Sequence, residues 1–599
     1  MSRSIHDDLF PRHVPELQFD NTSSKITSAR RHSASASLNT KEATDITSSW
    51  RMKALVLLCM LSLPVGCHYL EATMGTLKTT LKASMSINNT QFSILLSSVT
   101  LVNTVLPLIA GIFIDDISSI GSIRATAGVS LVIFIGSLLV SIGGHINSYP
   151  CMMTGQIVYG LGGGMIVTMQ EGILSRWFRD KELAIIIGII LCAARLTKWA
   201  AKMVAYPIVN ATGSHAFPIH VATIFCGGGL LINLLYWVVM WHKGLCSVSG
   251  KEITQYRGTY KNEFKQLDKP KEVHQRDDNS SYESSFISSF RQQQQSRNFK
   301  WTYPILFYIP KMFWMIPLIQ LTMSSVLSSF DDVATEYVEF RYKTTSVMAG
   351  YQSSLTQVVP IVMAPLMGIV AHKYGKRITT LFSATLILMT SMILLAYTWV
   401  TPAIGMIIFS FALALGPVSV LSSTSLLLPH ELAGTGMGLH KCFNNIGTTI
   451  VSVLVGYVQD LTFHDGDPHD DLSDLQTEYN GVMILYLSIA TFSIIIVMVF
   501  WLMDRILLSG WLQADKNERQ RRLDLVQTKE EDEKTLYLHA EKDELEKINK
   551  EKMNALKMIG SRLTEKKSYT YVSISLFWLI LSWIVFFAFA LMPVYKKYM

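Results

Sequence analysis

The sequence predicts an all-α polytopic membrane protein: two six-helix halves joined by a polar linker, plus an additional C-terminal transmembrane helix. Three observations predict it. Of 599 residues, 49% are apolar and only 16% are charged, whereas soluble domains carry about 25% charged residues. Apolar runs long enough to cross a bilayer, about 20 residues each, recur in two sets of six. Lys and Arg gather on one side of those runs, so the formal charge of +7 reads as membrane topology and not as nucleic-acid binding.

Residues 1–50 are polar and Ser-rich and lack the apolar core of a signal peptide, so the first span is expected to serve as an internal signal. This cytosolic tail is expected to be disordered. Its RRHSAS stretch puts Ser33 in a short pattern of the kind basophilic kinases read. The first half, 51–242, has spans near 52–81, 91–114, 123–146, 152–176, 182–209 and 218–241. The linker, 243–300, is rich in Lys, Gln and Ser and is expected to be disordered. The second half, 301–508, has spans near 303–330, 345–371, 377–398, 400–425, 431–459 and 481–508. Residues 509–569 are expected to form a charged cytosolic helix, with Leu538, Leu545, Ile548, Ala555 and Ile559 near heptad spacing. Residues 570–594 are apolar again and make the additional span.

Charge sets the orientation. IGSIR, RWFRDKE, the basic linker and HKYGKR fall on one side, and the acidic segment 460–480, which has no Lys or Arg, on the other. The positive-inside rule therefore puts the linker and both ends of the twelve-span body in the cytosol. The sequons at Asn88 and Asn210 then fall in lumenal loops as glycosylation candidates, while the one at Asn21 is cytosolic. Thirteen spans would put the terminal Lys596-Lys597-Tyr598-Met599 in the lumen, where a KKxx retrieval signal is not read. The seven cysteines are scattered without metal or disulfide spacing. No catalytic set and no Walker A motif is present. The expectation is a non-enzyme that takes no cofactor and no metal.

Two segments carry paired signatures. Gly111-x-x-x-Asp115 follows span 2, with Arg124 beyond it. Gly368 to Lys376-Arg377 follows span 8, with His372 between. Both resemble the G-x-x-x-D-x-x-G-R-[KR] signature of the major facilitator superfamily. In span 4, Tyr159-Gly160-Leu161-Gly162-Gly163-Gly164 leads to Gln170, Ser175-Arg176-Trp177-Phe178 and Lys181-Glu182-Leu183, and Ala194-Arg195 follows in span 5. Later come Ala364-Pro365, Gly416-Pro417, Gly434-x-x-x-Gly438 and Asn444-x-x-Gly447. Over about 52–508 this resembles the lysosomal dipeptide transporter group of the superfamily. The resemblance implies the major facilitator fold, rocking of the two halves about a midplane site, and dipeptide export by uniport. It also implies a span 5 arginine for the substrate carboxylate and a span 4 glutamate for its amine. Arg195 falls on the arginine. Gly164 stands where the glutamate belongs, and Gln156 where many relatives have Arg.

The stretch LCAARLTKWAAKM, 191–203, places Arg195, Lys198 and Lys202 on one helix face. At 1.5 Å per residue from Leu183, Arg195 lies roughly 18 Å into a core of roughly 30 Å. A central charge costs at least about 2.5 kcal/mol, so these cations require a wet cavity, an acidic partner or an anionic ligand. For Lys202, snorkelling to the interface is the other reading. Arg195 and Lys198 are the leading substrate-binding candidates. Glu71 in span 1 is a candidate partner for Lys198 or Lys202, or for a substrate amine. Tyr69, Gln170, Gln352, Gln357 and Asn444 are the polar cavity-lining candidates. Asp115, Arg124, Glu171, Arg176, Lys376 and Arg377 are the gating candidates. His440, beside Lys441, is the candidate for proton coupling, with satisfaction by its neighbours as the alternative.

The function expected is alternating-access transport of a small carboxylate-bearing solute. By resemblance the solute is a dipeptide and the membrane lysosomal or vacuolar, with the plasma membrane as the other location. An organic anion or monocarboxylate carrier is the first alternative, and a non-transporting sensor or sorting partner the second. The partners expected are the small-molecule substrate and membrane lipid, with room for an accessory membrane subunit and no nucleic acid.

Overall fold

The computed structural model describes residues 49–116, 122–178, 181–243, 303–428, 432–462, 475–523 and 569–592. The Ser33 pattern, the linker, the heptad-spaced residues and the KKYM terminus lie outside these. The described residues form helices and short connections, with no strand among them.

Span 1 is broken into three pieces, α1 (Trp50–Ser62), α2 (Val65–Thr76) and α3 (Lys78–Met85), the first break at Pro64, which cannot continue the hydrogen-bond ladder. Span 2 comprises α4 (Asn89–Val102) and α5 (Leu106–Asp116). The Asn88 side chain caps α4, accepting from the Gln91 amide while Gln91 returns the bond. Next come α6 (Ser122–His145), α7 (Tyr149–Trp177), α8 (Lys181–Thr212) and α9 (Phe217–His242). Span 7 consists of α10 (Met315–Ile319), a π-turn (Gln320–Ser324) and α11 (Ser325–Tyr342). Span 8 consists of α12 (Ser346–Ser354), a short 3-10 turn and α13 (Val358–Tyr374). Then follow α14 (Arg377–Tyr397), α15 (Pro402–Leu427), α16 (Ala433–Thr462), α17 (Asn480–Leu507) and α18 (Tyr569–Ala590).

Ten helices among the described residues are long and apolar enough to cross a membrane. Three bundle helices, α8, α11 and α16, are not among them. Each of the three carries buried polar side chains, among them Lys202 on α8, Asp331 and Glu336 on α11, and His440 and Gln459 on α16.

One hydrophobic core is built from residues between Val56 and Met240 and a second from residues between Ile309 and Leu512. The two sets meet along close helix contacts. At the end the charges assign to the cytosol, a Cβ on Gly111 would come within 2.1 Å of the Gly434 carbonyl oxygen, and one on Gly438 within 2.5 Å of that of Pro107. Gly188 packs likewise on Pro365. Small residues let backbones approach in this way. At the opposite end α3 and α4 meet α11 and α16 through charged side chains. The halves thus touch at both ends.

The additional helix α18 lies against both sets. Phe586 packs with Ile94, Leu101 and Val453, and the Trp583 indole donates to Thr104 Oγ1 at 3.1 Å.

The structure corrects one expectation of extent. Span 7 does not end near 330, where hydropathy falls, but runs through Tyr342. Asp331 and Glu336 are buried within it, because cations from the first half meet them.

Candidate substrate site between the halves

α8 is one 32-residue helix, and its cationic face turns toward α2, α11 and the start of α13. Lys202 is 2% exposed. Its ammonium donates to Asp331 Oδ1 at 2.7 Å and to the Asp331 carbonyl at 2.8 Å, so it does not snorkel to the interface. Asp331 Oδ1 also accepts from Thr356 Oγ1 at 2.9 Å and Gln357 Nε2 at 2.7 Å. A buried pair is tolerated when hydrogen bonds satisfy its remaining valences, and this one is well supplied.

Lys198 is 3.1 Å from Glu71 Oε2, and His68 Nδ1 stands 3.8 Å from the same oxygen. The Glu71 side chain is 38% accessible and that of Lys198 20%. Both sit inside spans and face each other.

Arg195 is the least satisfied of the three. Its Nη1 donates to Gln357 Oε1 at 3.3 Å, a long bond to a neutral amide. No carboxylate reaches it among the described residues. A guanidinium has five donors in a planar fork, so most of its capacity is open to a ligand.

The other candidates fall in several places. Gln357 belongs to the site. Tyr69 does not: its ring packs edge-on against Phe225 at 5.1 Å within the first half. Gln170 is also buried elsewhere, its amide donating to the Met60 carbonyl at 2.9 Å and tying α7 to α1. Gln352 Oε1 and Asn444 Oδ1 are buried acceptors without a hydrogen-bond partner. Glu171 Oε2 is another, and Lys441 of the other half is the cation that acts on it. His440 is buried against the Gln320 amide within the second half.

Among the gating candidates, Arg124 is exposed, and the side chains of Asp115 and Arg176 lie outside those described. Lys376 is exposed in a left-handed conformation, and its amide donates to the Gln513 carbonyl at 3.1 Å. Arg377 is buried with Nε and Nη1 unbonded. This pair is covered by the segment after α17, in its own half, and does not latch the two halves together. Asn88 and Asn210 are both exposed.

Sequence reasoning missed the acidic half of the site, Asp331 and Asp332, by ending span 7 near 330, short of the helix end at Tyr342. It also missed a second cluster. At the end away from the Gly111–Gly434 contact, Lys78 lies 2.5 Å from Glu336 Oε2 and Lys82 lies 2.6 Å from Oε1, with the Lys78 and Glu336 side chains fully buried. Tyr479 donates to Glu336 at 2.5 Å, and Gln459 links Lys78, Glu336 and Glu478. Lys82 and Glu478 also share Asn89. The signal available was the helical spacing of Asp332, Glu336 and Glu339 past an apolar run. Burial, reinforced by the charge of Glu336, pushes the Glu478 carboxyl up to about 7.

Two bundles of helices closing on an internal, charge-lined site define the class: a membrane transporter. The family model of the major facilitator superfamily matches residues 61–452 and 312–599, and the chain belongs to that superfamily. It is similar to the lysosomal dipeptide transporter MFSD1 of Homo sapiens, 23% identical over 416 residues, covering 68% of this chain and 80% of that one. The Mus musculus protein of the same name is 24% identical over 414 residues, with 68% and 80% covered, and that of Danio rerio 21%, with 68% and 81% covered. Two solved structures share the fold. The proton:xylose symporter XylE bound to 6-bromo-6-deoxy-D-glucose has a TM-score of 0.54 at 14% identity, with 75% of this chain and 94% of that one covered. A POT family transporter in complex with thioalcohol conjugated peptide has a TM-score of 0.51 at 12% identity, with 76% and 96% covered.

Proposed function

We propose that this transporter carries a small carboxylate-bearing solute, a dipeptide, across a lysosomal or vacuolar membrane by alternating access, as a uniporter. The relatives of that name support the substrate class and the membrane. The single observation that carries the reading is Arg195: an arginine between the halves, with one long bond to a neutral amide and no carboxylate partner among the described residues. A ligand carboxylate would take its free donors as a bidentate pair. Lys198, already paired with Glu71, adds positive potential nearby.

The test is a thermal-shift screen of purified protein against dipeptides, amino acids and organic acids, since a ligand that binds the folded state stabilises it. Dipeptides are expected to raise the melting temperature of the wild type and not of Arg195→Ala. One observation favours a second reading, an organic anion or monocarboxylate carrier. The space at Gly164 is filled by the Asn103 carboxamide, which a Cβ there would meet at 2.1 Å, so no acid for an amine stands at that position. Stabilisation by dicarboxylates and not by dipeptides would select that carrier.

A further inference from the structure

The cationic face of α8 carries Arg195, Lys198 and Lys202, and the acids it meets are Glu71, Asp331 and Asp332, with Lys441 of α16 acting on His68 beside Glu71. Two pairs are closed: Lys202 with Asp331 at 2.7 Å and Lys198 with Glu71 at 3.1 Å. One member of each sign is left over. Arg195 meets only an amide oxygen. The Asp332 carboxylate makes no hydrogen bond or ion pair among the described residues. It is half-buried on α11, where Gly75 of α2 packs so closely that a Cβ would come within 2.7 Å of the Asp332 carbonyl.

No ion pair joins these two unmatched groups among the described residues. The acids whose charge reaches Arg195 are Asp331 and Glu71. The charges acting on Asp332 are those of Lys198, Asp331, Glu71 and Lys202. A desolvated charge without a partner is costly, and here one ligand with separated charges of both signs would relieve both at once.

We infer that Asp332 is the acceptor for the substrate's ammonium group, so that the site recognises a zwitterion with Arg195 at its carboxylate end and Asp332 at its amine end. This rests on the transport reading above and specifies how the amine is held although position 164 is glycine. Asn103, 5% exposed with an unbonded Oδ1, occupies the space beside Gly164. Amine recognition is thereby moved from α7, in the first half, to α11, in the second. A substrate so held touches both halves, with its carboxylate on α8 and its amine on α11, and can favour their approach by that contact.

The test compares alanylalanine with N-acetyl-alanylalanine for binding to the purified full-length protein. Acetylation removes the charge and leaves the carboxylate. Wild type is expected to bind the free-amine form at least about tenfold more tightly, the scale of a charge-assisted hydrogen bond. Asp332→Asn is expected to lose that preference while binding of the acetylated form is unchanged, and Asp332→Glu to keep it. Equal affinity of the wild type for the two compounds overturns the inference without recourse to any variant. So does an Asp332→Asn protein that folds, as read by its unliganded melting temperature, and keeps the full preference. A wild type that binds neither compound instead overturns the dipeptide reading on which the inference stands.

Discussion

At one end of the bundle, Glu336 is gripped by Lys78 and Lys82 from the other half and by Tyr479 and Gln459 from its own. Deeper between the halves, Arg195 reaches only Gln357, at 3.3 Å, and Asp332 bonds to nothing among the described residues. Both clusters join cations of spans 1 or 5 to acids of α11. The first is dry and closed on itself, with the Glu336 side chain wholly buried. The second is more open, with the Glu71 side chain 38% accessible, and one charge of each sign is unmatched. A cluster that satisfies itself holds two parts together, whereas one that leaves donors and acceptors open is available to a solute.

The contrast can be broken from the latch side first. Glu336→Ala strands two buried lysines, and losing one partner of a buried pair costs about 3–5 kcal/mol. The drop in melting temperature, measured on detergent-purified protein, should exceed that of any substitution at Arg195, Glu478 or Trp583. An unchanged melting temperature would mean that the cluster is not a latch.

Arg195→Lys tests the other side. It keeps the charge and loses the planar fork. Its unliganded melting temperature should stay near that of the wild type, while dipeptide affinity weakens roughly tenfold to a hundredfold, the scale of about 1.5–3 kcal/mol for hydrogen bonds to a charged group. Thermal melting and isothermal titration check the two halves of that statement. A variant that unfolds but binds as before when folded would place Arg195 with the latch.

The two clusters were unequally legible in the sequence, for a physical reason. Cations at 195, 198 and 202 interrupt a long apolar run, so hydropathy exposes them as an expense that requires a partner. Asp331, Asp332 and Glu336 follow the apolar run of span 7, where a fall in hydropathy reads as the end of a helix. The burial of Asp331 and Glu336 depends on lysines some 130 to 260 residues away in sequence, which no local pattern can announce. The helical class was legible from composition and run length, and of the two signature glycines the structure finds Gly111 in close contact with Gly434 of the other half. Tyr69 and Gln170 show the opposite failure. Polarity within a span gives no direction, and both turn into the first half.

Acid separates the clusters further. Glu478 packs against Gln459 and Asn89 and feels Glu336, Lys78 and Lys82. Its carboxyl is raised from the ordinary 4.5 to about 7, so the folded form holds the proton more tightly than a solvated one. The stability this contributes is fully present below about 4.5 and is lost as pH rises through about 7. Melting temperature should therefore fall between pH 5 and pH 8 through this group, and Glu478→Gln should flatten that part of the profile. An identical slope in the variant would remove Glu478 from the account.

The smallest effect is expected outside both clusters. Trp583→Phe removes the indole bond from α18 to Thr104 and should lower stability by about 0.5–1.5 kcal/mol, with dipeptide affinity unchanged. A change in affinity would tie α18 to the site.

The most direct measurement is counterflow in proteoliposomes containing the full-length protein. Vesicles preloaded with unlabelled dipeptide are expected to accumulate labelled dipeptide with the wild type and not with Arg195→Ala reconstituted at equal density. No dipeptide counterflow by the wild type, with dicarboxylates exchanged instead, would contradict the reading that this site is built for a zwitterion.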